Sequence, residues 1–202
     1  MNQPWVTEVR APGKLYVAGE YAVVETGFPA VLVAVDRYVT VRVRNAVDTG
    51  RITSDLHSGS QLEWYRRDSD MVIEPDATPL SFVLAAMRVV EEVVVELGEP
   101  LQIFDLDIAS ELVNDSGRKF GLGSSAAVTV ATVRALCAHY GLDLTRMEQL
   151  KLALLASSEV QRSGSGGDIA ASMFGGWIAY TAFDREWARS ERANRSLVEL
   201  LA

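Results

Sequence analysis

Polar and apolar residues alternate most regularly between residues 30 and 44. That stretch opens apolar, then sets Val39, Val41 and Val43 on one side and Thr40, Arg42 and Arg44 on the other. A period of two predicts a strand with one wet face. Residues 103–108 repeat the pattern, with Phe104, Leu106 and Ile108 alternating with Asp105 and Asp107. Residues 9–24 carry a Pro12-Gly13 break and then an apolar run. Residues 51–66 read as a polar hairpin turning at Ser58-Gly59-Ser60. Residues 68–79, with Pro75 and Pro79, read as a loop.

Three helices are predicted from longer spacings and their end signals. Residues 81–97 stop at Gly98 and Pro100, and residues 124–140 open on Ser124-Ser125 and close at Gly141. Residues 145–161 begin with Thr145 and Glu148 spaced as a capping box. A glycine-serine loop, Ser163 to Gly167, comes next, then a strand within residues 174–183 and a charged helical tail. No internal repeat or low-complexity tract interrupts the series. Strands and helices mix without a regular βαβ rhythm, so the class is α+β rather than a doubly wound sheet.

Composition narrows the function. The chain has 202 residues, 49% of them hydrophobic, enough for one sizeable core and part of a second domain. Its net charge of −8 argues against nucleic acid and against an anionic membrane surface as partner. It does not argue against a phosphate-binding enzyme, for which a few local cations and helix ends suffice. Cys137 is the single cysteine, which excludes an intrachain disulfide. Cys137, His57 and His139 are not spaced to hold zinc. No basic stretch leads into an apolar run at the start, and Phe82–Leu97 is broken by Arg88, Glu91, Glu92 and Glu96. These features predict a soluble cytoplasmic protein.

Three loops carry candidate chemistry. Gly121-Leu122-Gly123-Ser124-Ser125-Ala126-Ala127 precedes an apolar helix. Its glycines permit positive φ and close backbone approach, and the first helical turn offers N–H groups and partial positive charge to an anion. No Gly-Lys-Ser/Thr closes it, so it is not a Walker loop; a plain N-capped helix after a glycine turn is the other reading. In Arg10-Ala11-Pro12-Gly13-Lys14, an ammonium follows a Pro-Gly turn. It is either aimed from a rigid loop or simply a surface lysine, and Glu20 further on could be a first-turn carboxylate complementing a helix dipole. In Ser163-Gly164-Ser165-Gly166-Gly167-Asp168, the carboxylate is either an N-cap or a group presented to a ligand by a permissive backbone.

Taken in this order, the three loops resemble those of the GHMP kinases, named for galactokinase, homoserine kinase, mevalonate kinase and phosphomevalonate kinase. The run Gly121 to Ala127 looks like that family's phosphate-binding motif. The segments Ala11 to Val24 and Gly164 to Ser172, followed by Gly175-Gly176-Trp177, look most like the phosphomevalonate kinase branch. Mevalonate kinases usually place His where Tyr21 stands, and a His-Gly-x-Pro-Ser-Gly run where Gln161-Arg162 and Gly164-Ser165 stand.

The resemblance implies a GHMP-kinase amino-terminal domain (ribosomal protein S5 domain 2-like) over residues 1–185, with residues 186–202 beginning a truncated carboxy-terminal domain. It implies ATP and Mg²⁺, with phosphomevalonate as the small-molecule substrate, and does not set the oligomeric state. Gly121, Leu122, Gly123, Ser124, Ser125 and Ala126 would bind ATP phosphates, with Ser125 touching Mg²⁺. Lys14 and Asp168 would be catalytic, and Lys14, Glu20, Tyr21, Ser165 and Gly166 would bind substrate. Some members carry a metal-binding Glu eleven residues before the Asp, where this chain has Ser157, with Glu159 nearby. Two alternatives remain at this point: mevalonate kinase or another GHMP kinase, and a non-catalytic nucleotide-binding fragment.

Overall fold

The computed structural model describes residues 6–55, 60–74, 80–113, 120–161 and 163–202. His57, the Ser58-Gly59 part of the expected hairpin turn, Pro75, Pro79 and Arg162 lie outside the described residues.

The architecture is organised by one long strand, β2 (Pro29–Asn45). Along one edge it pairs antiparallel with β1 (Thr7–Ala18). Its other edge is shared: β6 (Phe104–Ser110) pairs with Val39–Asn45, and β7 (Trp177–Thr181) pairs with Pro29–Val33. Beyond β6 the sheet continues through β3 (Gly50–Ser54), parallel to it, then β4 (Ser60–Arg67) and β5 (Asp70–Glu74). The order is β1-β2-β6-β3-β4-β5, with β7 on β2 off that path. A mostly antiparallel sheet with helices gathered against it is the expected α+β class.

Helices α2 (Ser124–Tyr140) and α4 (Gly167–Phe174) pack on β1 and β2, and α1 (Ser81–Glu96) and α3 (Arg146–Val160) pack on α2. The expected alternation on β2 holds, since Val39, Val41 and Val43 are fully buried. On the wet face, Arg42 pairs with Glu8 and Asp107, and Arg44 with Asp105. Helix α2 is apolar nearly all round, as befits a helix between sheet and helices, with Ala127, Val130, Ala131 and Val133 fully buried. Thr145 and Glu148 close the predicted capping box at the start of α3.

Two expectations change, at Pro12-Gly13 and at residues 70–74, while the tail is helical as expected. Pro12-Gly13 is not a turn: β1 runs through it, and between the pairs Pro12–Tyr38 and Lys14–Ala34 the register shifts, with the extra residues on β2, after which the inward side of β1 passes from Ala11 and Gly13 to Lys14 and Tyr16. A Cβ on Gly13 would lie 2.7 Å from Leu112 Cδ2 and 2.8 Å from the Leu122 carbonyl, so the glycine is there for close approach. Residues 70–74, read as loop, form β5 by pairing with β4. The tail forms α5 (Arg185–Asn194) and α6 (Leu197–Leu201), and α6 buries Leu197 and Leu201 in the same core as α1.

One buried ion pair sits in this core. The Arg66 guanidinium meets Glu91 on α1, and Tyr140 on α2 donates to the same carboxylate oxygen at 2.9 Å. The two charged side chains are 10% and 8% exposed. Burial pushes the Glu91 carboxyl above its ordinary range despite the opposing pull of Arg66. Removing one member of such a pair strands the other charge. Glu91→Ala is therefore expected to lower the unfolding free energy by about 3 kcal/mol in urea titration. Arg66→Met with Glu91→Leu should cost less than the single change, and a single-variant loss well below about 1 kcal/mol would show the pair to be effectively solvated.

Candidate active site

The register shift between β1 and β2 after Pro12 brings Lys14 to the glycine loop. Its backbone N–H donates to the Leu122 carbonyl at 2.8 Å. Its side chain then passes Gly123, where an added Cβ would stand 3.0 Å from Lys14 Cε and 3.2 Å from Cγ. Gly121 and Gly123 both adopt left-handed φ, +77° and +76°. Glycine is required at Gly123 on two counts, backbone angle and the lysine alongside.

Gly123 is also the N-cap of α2, and no side chain caps that end. The other reading, a plain N-capped helix after a glycine turn, fits this geometry too, with glycine at the cap. Ser124 and Ser125 are partly exposed at the mouth, and the Ser125 carbonyl accepts from Thr129 Oγ1 at 2.8 Å. Uncapped first-turn N–H groups, a helix dipole and a lysine beside them make an anion cradle.

From the loop, the Lys14 ammonium reaches over the Tyr16 ring, 4.8 Å from its centroid. The Tyr16 hydroxyl is 2.8 Å from Ser165 Oγ. Ser165 is buried, its Oγ accepts from the Gly167 N–H at 3.2 Å, and its carbonyl accepts from the Tyr180 hydroxyl at 2.7 Å. Two tyrosines, from β1 and β7, thus hold the loop that leads into α4. The fit leaves no room for larger residues: a Cβ on Gly167 would meet the Tyr16 hydroxyl at 2.8 Å, and one on Gly166 would meet Leu154 Cδ2 at 2.6 Å.

Asp168 lies in the first turn of α4, but the N-cap is Gly166, at φ +82°. The carboxylate is not the cap; its Oδ1 accepts from the adjacent Ile169 N–H at 2.9 Å. Burial raises the Tyr16 phenol above its usual value; Ser165 partly opposes this, and Asp168 and Glu20 add to it. Burial likewise pushes Tyr180 up to about 12, with Tyr16 and Asp168 adding to the rise. Both phenols stay protonated at neutral pH and act as hydrogen-bond partners rather than bases.

The structure therefore groups Lys14, Gly123, Ser165, Gly166 and Asp168, with Glu20 close enough to be felt at Tyr16. Tyr21 is 86% exposed. Among the described residues no ion pair joins Lys14 to Asp168; the ring of Tyr16 stands between their roles. The sequence reading missed Tyr16 and Tyr180. A signal for Tyr16 was present, because residues i and i+2 of a strand share a face.

For a metal, the donor set is sparse. Among the described residues no group of three His, Cys, Asp or Glu side chains is placed to hold an ion. Ser157 and Asp168 line one cleft, whereas Glu159 is exposed, within electrostatic reach of Arg88, Glu92 and Arg192. Glu159 therefore does not replace the carboxylate that Ser157 lacks. Ser124 and Ser125 hydroxyls suit Mg²⁺ as oxygen donors only alongside phosphate oxygens of a nucleotide.

Residues 81–176 match the family described as GHMP kinases N terminal domain, so the chain carries the amino-terminal domain of a GHMP kinase. Among particular relatives, it is 50% identical over 187 residues to a Streptomyces phosphomevalonate kinase, covering 87% of this chain and 49% of that protein. A mevalonate kinase from Thermococcus sibiricus is 32% identical over 173 residues, covering 84% of this chain and 50% of that protein. The fold superposes on Streptococcus pneumoniae phosphomevalonate kinase in complex with phosphomevalonate and AMPPNP with a TM-score of 0.81 at 29% identity, covering 96% of this chain and 55% of that chain. The chain thus spans about half the length of the relatives it matches.

The loop assignment is directly testable. Gly123→Val demands positive φ of a β-branched residue and drives it into Lys14. Calorimetry should find no ATP binding in a folded Gly123→Val variant, and unchanged ATP affinity would remove the loop from the nucleotide site.

Proposed function

We propose that this chain is the ATP-binding part of a kinase that transfers the γ-phosphoryl group of ATP to 5-phosphomevalonate, giving 5-diphosphomevalonate on the mevalonate route to isoprenoids. The observation that carries the reading is the position of Lys14, fixed by the Leu122 carbonyl at the cradle and by the Tyr16 ring beside the Asp168 loop. A single cation there lies between a phosphate donor on α2 and an acceptor at α4. The identity to a phosphomevalonate kinase, higher than to mevalonate kinases, supports the choice of acceptor.

Phosphoryl transfer depends chiefly on positioning and charge neutralisation. The first-turn N–H groups of α2 would hold the β- and γ-phosphates, with Lys14 neutralising charge that spreads over the transferred group. Mg²⁺, held by nucleotide phosphates with the Ser125 hydroxyl in reach, would share that neutralisation. Glu20, Ser165 and Gly166 lie around the acceptor side. Asp168 would orient the acceptor rather than deprotonate it, because a phosphate acceptor has a second pKa of about 6 and is largely ionised at neutral pH. Among the described residues no helix is long and apolar enough to cross a membrane. Cys137 is a buried free thiol, which suits the reducing cytoplasm proposed for the protein.

A second reading is a nucleotide-binding chain without turnover of its own, favoured by a length about half that of the relatives. An assay with phosphomevalonate and mevalonate as acceptors separates the readings; turnover of mevalonate alone would move the protein to the alcohol kinases. In any form of the protein that turns over phosphomevalonate, Lys14→Met should cut the maximal rate on the order of 10²-fold or more. ATP affinity should change far less, and a rate within a few-fold of the parent would make Lys14 a bystander.

Asp168→Asn tests the acceptor chemistry through pH. With a phosphate acceptor the acidic limb of the rate profile should persist near a pKa of about 6 in the variant, because it belongs to the substrate. With an alcohol acceptor a general base is worth roughly 10²- to 10⁴-fold, and that limb should vanish with the carboxylate.

A further inference from the structure

Asp168 has a second side. It lines a cleft formed by the end of α3, the loop Ser163–Gly166 and the start of α5, together with Ser157, Gln161, Gly164, Phe183 and Arg185. Two nitrogen donors lean over one glycine there. A Cβ on Gly164 would stand 3.7 Å from Gln161 Nε2 and 3.9 Å from Arg185 Nη2. Gly164 has φ +124°, a conformation that a side chain would strain, so the backbone beneath those donors stays bare. The guanidinium carbon of Arg185 lies 5.9 Å from the Phe183 ring centroid, which limits its swing.

The cleft joins the site already described. Tyr180, which donates to the Ser165 carbonyl, feels the charges of both Arg185 and Asp168. Arg185 and Asp168 thus act on one hydroxyl, in a chain whose net charge is −8. Lys14 belongs to the opposite flank of the same Tyr16–Ser165–Tyr180 connection. A guanidinium presents its N–H groups in a fork that matches carboxylate or phosphate oxygens, and an amide N–H₂ adds a further donor.

We infer that this cleft seats an anionic group of the acceptor substrate, with Arg185 as the residue that recognises it and Gln161 as its helper. The inference rests on the proposed acceptor chemistry, but its geometry is independent of the nucleotide loop. An acceptor seated there would lie with Asp168 at its side and would need no contact with Gly121–Ala126. Glu20, which acts on Tyr16 and not on Tyr180, belongs to the Lys14 flank.

Calorimetric titration of the 202-residue chain with ATP, phosphomevalonate and inorganic phosphate, in separate experiments, tests this. Arg185→Met should weaken phosphomevalonate binding on the order of 10- to 100-fold, the range for losing hydrogen bonds to a charged group. ATP affinity should stay within about two-fold, Arg185→Lys should recover part of the loss, and Gln161→Leu should weaken phosphomevalonate a few-fold. Equal phosphomevalonate affinity in Arg185→Met and parent, both folded by thermal melting, overturns the inference. So does a parent that binds ATP but neither phosphomevalonate nor inorganic phosphate. If inorganic phosphate binds in an Arg185-dependent way while phosphomevalonate does not, the anion seat stands and the proposed acceptor falls.

Discussion

The hydrogen bond from the Lys14 N–H to the Leu122 carbonyl, 2.8 Å long, is the constraint on which the site depends. It fastens β1, at its register shift against β2, to the loop that opens α2, so a strand and a helix start are held together. The shift sets which side chains turn inward after Gly13, and inward is where Lys14 and Tyr16 go. Each neighbour of that bond is constrained by it. Gly13 must lack a Cβ because the Leu122 carbonyl is beneath it, and Gly123 must lack one because the lysine stem lies alongside. A longer-range chain of contacts then runs from the lysine over Tyr16 to Ser165 and Tyr180.

The split pairing of β2 explains how one sheet holds both sides of the site. Its second half is paired on both edges, by β1 and β6, and carries the buried valines. Its first half lies between β1 and β7, which set Tyr16 opposite Leu32 and Tyr180 opposite Ala30, two residues before it. Rigid sheet thus positions the phenols, and the phenols position a loop that its own glycines leave pliable. Loops carrying function on a rigid frame are the general pattern; here the frame reaches into the loop through two hydroxyls.

How much of this was legible in the sequence depended on whether the signal was local. The ends of α2 and α3 are set by residues within a turn of them, Gly123 and Gly141 for one and the Thr145–Glu148 box for the other, so both were readable. The buried face of β2 was readable because alternation is local too. The register shift was not: Pro-Gly is a turn signal unless a partner strand continues past it, and that partner is Val39 to Val33, some twenty residues on. β5 was hidden for the same reason, its pairing with β4 being the only thing that makes a strand of Asp70–Glu74. Of the site, the three loops announced themselves by glycine and charge. The tyrosines that connect them did not, since Tyr16 and Ser165 are 149 residues apart.

The chemistry follows from which charges the fold leaves opposed. Lys14 and Asp168 are brought to one region without being paired, so neither neutralises the other. A direct ion pair would hold the lysine away from a phosphate and would have to be broken when substrate arrived. A ring face offers the ammonium a weaker hold, on the order of 1 kcal/mol where exposed, which an incoming phosphate oxygen displaces easily. The aspartate, close to where an anion would sit, is useful only if cations outweigh it locally. On the proposed acceptor chemistry, Lys14 on one flank and Arg185 on the other would meet that requirement, and a phosphate acceptor that ionises on its own would leave the carboxylate free to orient rather than to accept a proton.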